Sequence, residues 1–177
     1  MIYVSSYSLF AQVDSGSVSA TNAYVRHIDS LAEDDQRQKL VRESISEGPI
    51  TTAIVTTAIV GGQKKVDTIL EKGGWSKYTI HNMHDDTVYR IEYHDNIKKN
   101  FYLIFYYKNN LLVYSKLDYQ EDGIGQTFYK KEEYYDGKKI IYVYETKAKI
   151  DDNFKDRIDI NLYNRGNDYC HEFLKSK

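Results

Sequence analysis

Tyr134-Tyr135-Asp136-Gly137-Lys138-Lys139-Ile140-Ile141-Tyr142-Val143-Tyr144 is the stretch on which the fold turns. A tyrosine pair runs into Asp-Gly, and a run of isoleucine, tyrosine and valine leaves it. Gly takes up the positive φ that a tight hairpin turn demands, while β-branched and aromatic residues suit a pleated strand, so the stretch reads as a β-hairpin. The same arrangement stands 28 residues upstream, where Tyr106-Tyr107 precedes Asn109-Asn110, and 28 downstream, where Leu162-Tyr163 precedes Asn164-Arg165-Gly166. Asn also tolerates positive φ. Three tyrosine-flanked turns at constant spacing predict three successive hairpins.

Working outward, residues 126–135 and 138–147 pair through Asp136-Gly137, and 101–107 with 111–119 through Asn109-Asn110. Residues 157–163 and 168–173 pair through Arg165-Gly166, with alternation visible in Arg157-Ile158-Asp159-Ile160-Asn161-Leu162. Residues 77–83 and 87–94 form a further pair through His84-Asp85-Asp86. Residues 75–177 are thus expected to be an antiparallel meander of about six to eight strands. Upstream, Ala23, Val25, Ile28, Leu31, Leu40, Val41 and Ile45 recur at helical spacing, which predicts a helical segment over 19–47, bent or divided in its polar middle, that Gly48-Pro49 stops. In 50–74 the tandem TTAIV reads as a buried strand, because eight of the ten residues 51–60 are β-branched, and a short amphipathic helix over 66–70 ends at Gly73-Gly74. The whole is an α+β chain in which the N-terminal helical segment packs on the meander, a single domain over 12–177.

Composition narrows the function classes. The chain has 177 residues with 24 basic against 26 acidic side chains and no block of like charge, which argues against nucleic acid as a partner. Its one cysteine, Cys170, excludes an internal disulfide and a cysteine-based zinc cluster, and is expected to pack as a small hydrophobe. No run reaches the roughly 18 apolar residues of a membrane-spanning helix. Residues 1–11 pass from an apolar run to Ser8-Leu9-Phe10-Ala11, followed by Gln12. This resembles the end of a bacterial export signal cleaved after Ala11, although Met1 is followed by no basic residue and Leu9 stands where a small residue is usual. Export to the periplasm or medium is the expectation; if Met1 begins the mature protein, the compartment is the cytoplasm.

The segments YYDGKKIIYVYE and YYKNNLLVYSK resemble the YY-x-G-K-[LI] hairpins of a broad class of uncharacterised exported bacterial proteins and, more loosely, MORN-like repeats. The resemblance spans about residues 76–174. It implies an antiparallel sheet and an exported protein, and carries no activity with it.

No nucleophile elbow, metalloprotease helix or phosphate-cradling glycine loop occurs, and Cys170 and His171, neighbours in an expected strand, would point apart. Glu132-Glu133 read as solvated residues that guard a strand edge. The expectation is therefore a non-catalytic binding module with no cofactor, engaging a protein or glycan partner. Tyr129, Tyr142 and Tyr144 are its candidate binding residues, because tyrosine supplies contact area at low entropic cost. Two alternatives stand beside it: an immunity or inhibitor protein that neutralises a toxin or hydrolase, and a metal-binding protein using His81, His84 and His94.

Overall fold

The computed structural model describes residues 15–33, 41–60, 63–95, 101–120, 127–146 and 160–177. Helix α1 (Ser15–Glu33) is followed by β1 (Val41–Val60), β2 (Gln63–Asn82), β3 (Val88–Asp95), β4 (Phe101–Lys108), β5 (Leu111–Gln120), β6 (Thr127–Asp136) and β7 (Lys139–Glu145), and then by helix α2 (Leu162–Lys175). The seven strands lie in chain order in one sheet, each antiparallel to the next. This is the α+β meander expected.

The first two tyrosine-flanked turns are hairpins, alike in detail. Asn109 and Asn110 have φ of 53° and 60°, the paired positive angles of a two-residue I′ loop between Lys108 and Leu111. In the second hairpin the loop is Gly137-Lys138 between Asp136 and Lys139, and Gly137 alone has positive φ, 57°. Positive φ at the first loop position only is the II′ pattern, so the turn sits one residue later than Asp136-Gly137. Behind each loop lies a bulge. Tyr106 faces Tyr114 but Tyr107 faces Leu112, leaving Val113 extra; Tyr134 faces Tyr142 but Tyr135 faces Ile140, leaving Ile141 extra, 28 residues on.

Alternation across a strand explains the tyrosine pairs. Tyr106 and Tyr134 turn to one face of the sheet, where they pack with Tyr114, Tyr142, Val113, Ile141 and the apolar stripe of α1, Val18, Val25, Ile28 and Leu31. Tyr107 and Tyr135 turn to the other, where Phe101, Leu103, Phe105, Leu112 and Leu117 meet Leu162, Tyr169 and Cys170 of α2. The molecule is therefore three layers, helix on sheet on helix, and each tyrosine pair sends one ring to each helix. Hydroxyls pin the layers: Tyr106 donates to Asp29 (2.8 Å), Tyr134 to Asn22 (2.9 Å), and Tyr107 to the Gly166 carbonyl (2.7 Å).

Three expectations are corrected. The helix predicted over 19–47 ends at Glu33, and Val41 onward is strand β1. Val41 and Ile45 are four apart, a spacing that shares a face in a strand as well as in a helix. Pro49 does not stop a helix but lies within an edge strand, where a missing N–H is tolerated. Gly48 gives way to Trp75 across the ladder, since a Cβ there would stand 2.8 Å from the indole. Residues 66–70, expected to be helical, belong to β2.

The third hairpin is instead α2. Asn161 caps it, its side chain accepting from the Asn164 N–H at 2.9 Å, and Leu162, Gly166, Tyr169, Cys170 and Phe173 recur at three and four as one buried stripe. Gly166, read as a turn, is the point of closest approach: a Cβ there would come within 2.7 Å of Phe105 and 3.0 Å of Leu112. The expectations for residues 1–11 and 157–159 lie outside the described residues. No helix among those described is long and apolar enough to cross a membrane.

Candidate functional site

β6 reads Lys130-Lys131-Glu132-Glu133-Tyr134-Tyr135, three doublets that alternation deals out evenly. Lys131, Glu133 and Tyr135 lie on the α2 face, the last two buried: Glu133 is 5% exposed, ion-paired to Lys131 at 2.7 Å and taking a 2.5 Å hydrogen bond from the Tyr135 hydroxyl. Glu133 is thus no solvated gatekeeper but part of a buried polar network. Lys130, Glu132 and Tyr134 lie on the α1 face and open into a groove of about 600 Å³.

One wall of this groove is a stripe of α1 spaced at three and four, Ser15, Val18, Ser19, Asn22 and Arg26. The floor is Lys130, Glu132 and Tyr134 of β6 with Tyr142 and Tyr144 of the edge strand β7. The ladder sets Glu132 opposite Tyr144 and Tyr134 opposite Tyr142. Tyr142 meets Tyr134 edge to face at 5.5 Å, and Tyr134 continues a ladder of rings through Tyr114 (4.8 Å) to Tyr106 (5.6 Å). Lys130 bridges the polar and aromatic parts, its ammonium 2.5 Å from Glu132 and 5.6 Å from the centre of the Tyr144 ring. Its hydrogen bond with Glu132 raises the Lys130 pKa, and burial followed by the Glu132 charge raises that of Tyr134. Near neutral pH the floor therefore offers a fixed cation and a neutral phenol. Among the described residues the lining contains no His or Cys, so no hydroxyl there has an imidazole to activate it. The arrangement can stack, donate hydrogen bonds and pair ions.

Of the predicted binding residues, Tyr142 and Tyr144 share this groove, Tyr144 being 43% exposed. Tyr129 is elsewhere: it is 2% exposed, belongs to the α2-side core, and its hydroxyl donates to Glu145 at 2.7 Å. The bulge-shifted register puts it on the opposite face. Missed by sequence reasoning were Asn22 and Arg26 of α1, whose helical stripe was legible but whose docking site was not.

The three histidines do not converge. His81 is 3% exposed, hydrogen-bonded to Ser44 (3.0 Å) and the Asn82 carbonyl (2.8 Å), with its ring on Phe173 at 5.0 Å. His84 is exposed in the turn after β2. His94 stacks on Tyr102 at 4.6 Å and pairs with Ser76, five residues along β2 from His81, about 17 Å away at strand rise. His94 instead borders a second cavity of about 510 Å³ with Glu47, Pro49 and Trp75. No group of three or more His, Cys, Asp or Glu placed to hold a metal ion occurs among the described residues. Cys170 is buried, and burial pushes its thiol up to about 11, so it is not a thiolate at neutral pH.

Comparison with family models, curated proteins and solved structures finds no match to this chain.

Proposed function

We propose that this chain is a small, exported, non-catalytic binding module that takes a protein or glycan partner in the groove between α1 and the β6–β7 hairpin. The observation that carries the reading is the exposed Tyr144 beside Tyr142 in a groove where Lys130 is ion-paired to Glu132 and Tyr134 is hydrogen-bonded to Asn22. A pre-set floor of aromatic edges and a fixed cation suits recognition, because little side-chain freedom is left to lose on binding. Tyrosine flanked by Lys, Arg and Asn offers both a ring surface and directed donors to sugar hydroxyls or to a peptide backbone.

The test is a double substitution, Tyr142→Ser with Tyr144→Ser, presented beside the parent to immobilised oligosaccharides and to proteins of the exported fraction of the source cell. The parent is expected to retain a ligand that the double variant releases, with the same far-UV circular dichroism. Tyr129→Ser is unsuited to the purpose, since it removes a core ring. Equal retention by the parent and the double variant rejects the groove; turnover of a retained molecule rejects the non-catalytic reading.

A further inference from the structure

β1 and β2 outrun the rest of the sheet. Among the described residues β2 meets β3 from Trp75 to His81, and Trp75 stands opposite Gly48 on β1. From Ile50↔Gly73 to Val60↔Gln63, eleven successive pairs have strand partners only in each other among the described residues. At strand rise this two-stranded arm is roughly 40 Å long. A two-stranded ribbon alone in water is marginally stable at best, and each of its edges presents a row of N–H and C=O groups to any passing strand.

The two edges differ in kind. Along the arm β2 carries Lys64, Lys65, Asp67, Glu71 and Lys72, the charges with which edge strands discourage a further neighbour. β1 carries no charge from Pro49 to Val60, where TTAIV stands twice in tandem. Its one blocking residue, Pro49, sits at the base.

We propose that the arm is a self-association element in which β1 of one copy pairs antiparallel with β1 of a second copy. A second copy is the occupant that the charge pattern favours. A strand paired antiparallel with itself about a two-fold axis is self-complementary. With the axis at the middle of residues 49–60, between Ile54 and Val55, no like charges are opposed, because that stretch has none, and Arg42, Glu43 and Glu47 fall outside the overlap. The product is a four-stranded sheet in the order β2-β1-β1-β2. Its outer strands are both the charged β2, so pairing stops at two copies rather than running on into a filament. Each arm then has the neighbours that a ribbon alone lacks. This inference is independent of the groove.

Light scattering on the intact chain over a concentration series is expected to show a rise from 20.7 kDa to twice that mass. Thr56→Lys with Ala58→Lys, placing like charges on the β1 edge, is expected to hold the protein at the single-copy mass, while Thr68→Lys on β2 leaves the doubled mass in place. Should the double variant fail to fold, amide exchange on the parent decides: protection of residues 49–60 is expected to rise with concentration. A single-copy mass throughout, a doubled mass that survives Thr56→Lys with Ala58→Lys, growth beyond two copies, or protection indifferent to concentration would each overturn the proposal.

Discussion

The units around Tyr107 and Tyr135 and the unit around Tyr163 share a spacing and a turn-like tripeptide, yet two are hairpins and the third is a helix. In the hairpins the strand that leaves the turn is β-branched or leucine-rich from its first or second residue, Leu111-Leu112-Val113 and Ile140-Ile141. In the third unit it begins Asn167-Asp168-Tyr169-Cys170-His171-Glu172, poor in β-branched residues and apolar at helical spacing. The difference teaches that the residues after a turn signature decide whether it becomes a turn. It also divides the faces: α2 seals one side over Tyr107 and Tyr135, whereas α1 leaves the β6–β7 end open around Tyr144.

The largest effect expected from this contrast is at the two equivalent tyrosines. Tyr107→Ala removes a fully buried ring and the hydroxyl that reaches Gly166, and should cost about 3–5 kcal/mol of unfolding free energy. Tyr163, half-buried on α2, should cost less than half as much on the same change. Equal losses in denaturant titrations would erase the distinction between the units. Next is Gly166→Leu, where the side chain must enter space held by Phe105 and Leu112; a loss of about 3 kcal/mol is expected. An unchanged midpoint would mean that α2 does not lie against β4 and β5 there.

Gly137→Val should cost about 1 kcal/mol or more, for a different reason. No atom lies within 4 Å of a Cβ at Gly137, so the loss comes from its φ of 57° alone. If Val is accepted without loss, the turn is not of this kind. The smallest effect is on pH dependence, through the end of α2. Burial, then Lys177 and Arg42, lowers the His81 pKa below its ordinary 6.5, against the Asn82 carbonyl and Asp86. The unfolded chain thus takes up the proton first on acidification. The contribution of His81 is complete above pH 6.5 and is lost as pH falls through the folded-state value. Denaturant midpoints at pH 5 and pH 8 should differ less in His81→Gln than in the parent.

The meander from residue 77, in the last part of β2, to β7 was legible because turn residues and alternation agree there. The partition of Tyr134 and Tyr135 between faces was legible in principle, since strand neighbours point apart, but the bulges at Val113 and Ile141 were not, as nothing local marks an extra residue. The sequence alone therefore does not separate Tyr129 from Tyr142 and Tyr144. Gly166 misled because a glycine required by helix–sheet contact looks, in sequence, like a glycine required by a turn. Residues 41–47 misled because a spacing of four fits both periods.

The three-layer arrangement depends on the third unit being a helix that covers one face. Backbone carbon chemical shifts of residues 162–175, measured by NMR on the intact chain, test this most directly. Helical shifts from Leu162 to Lys175, with slowed amide exchange at Tyr169 and Cys170, are the expected result. Extended shifts on both sides of Gly166 would restore a third hairpin and contradict it.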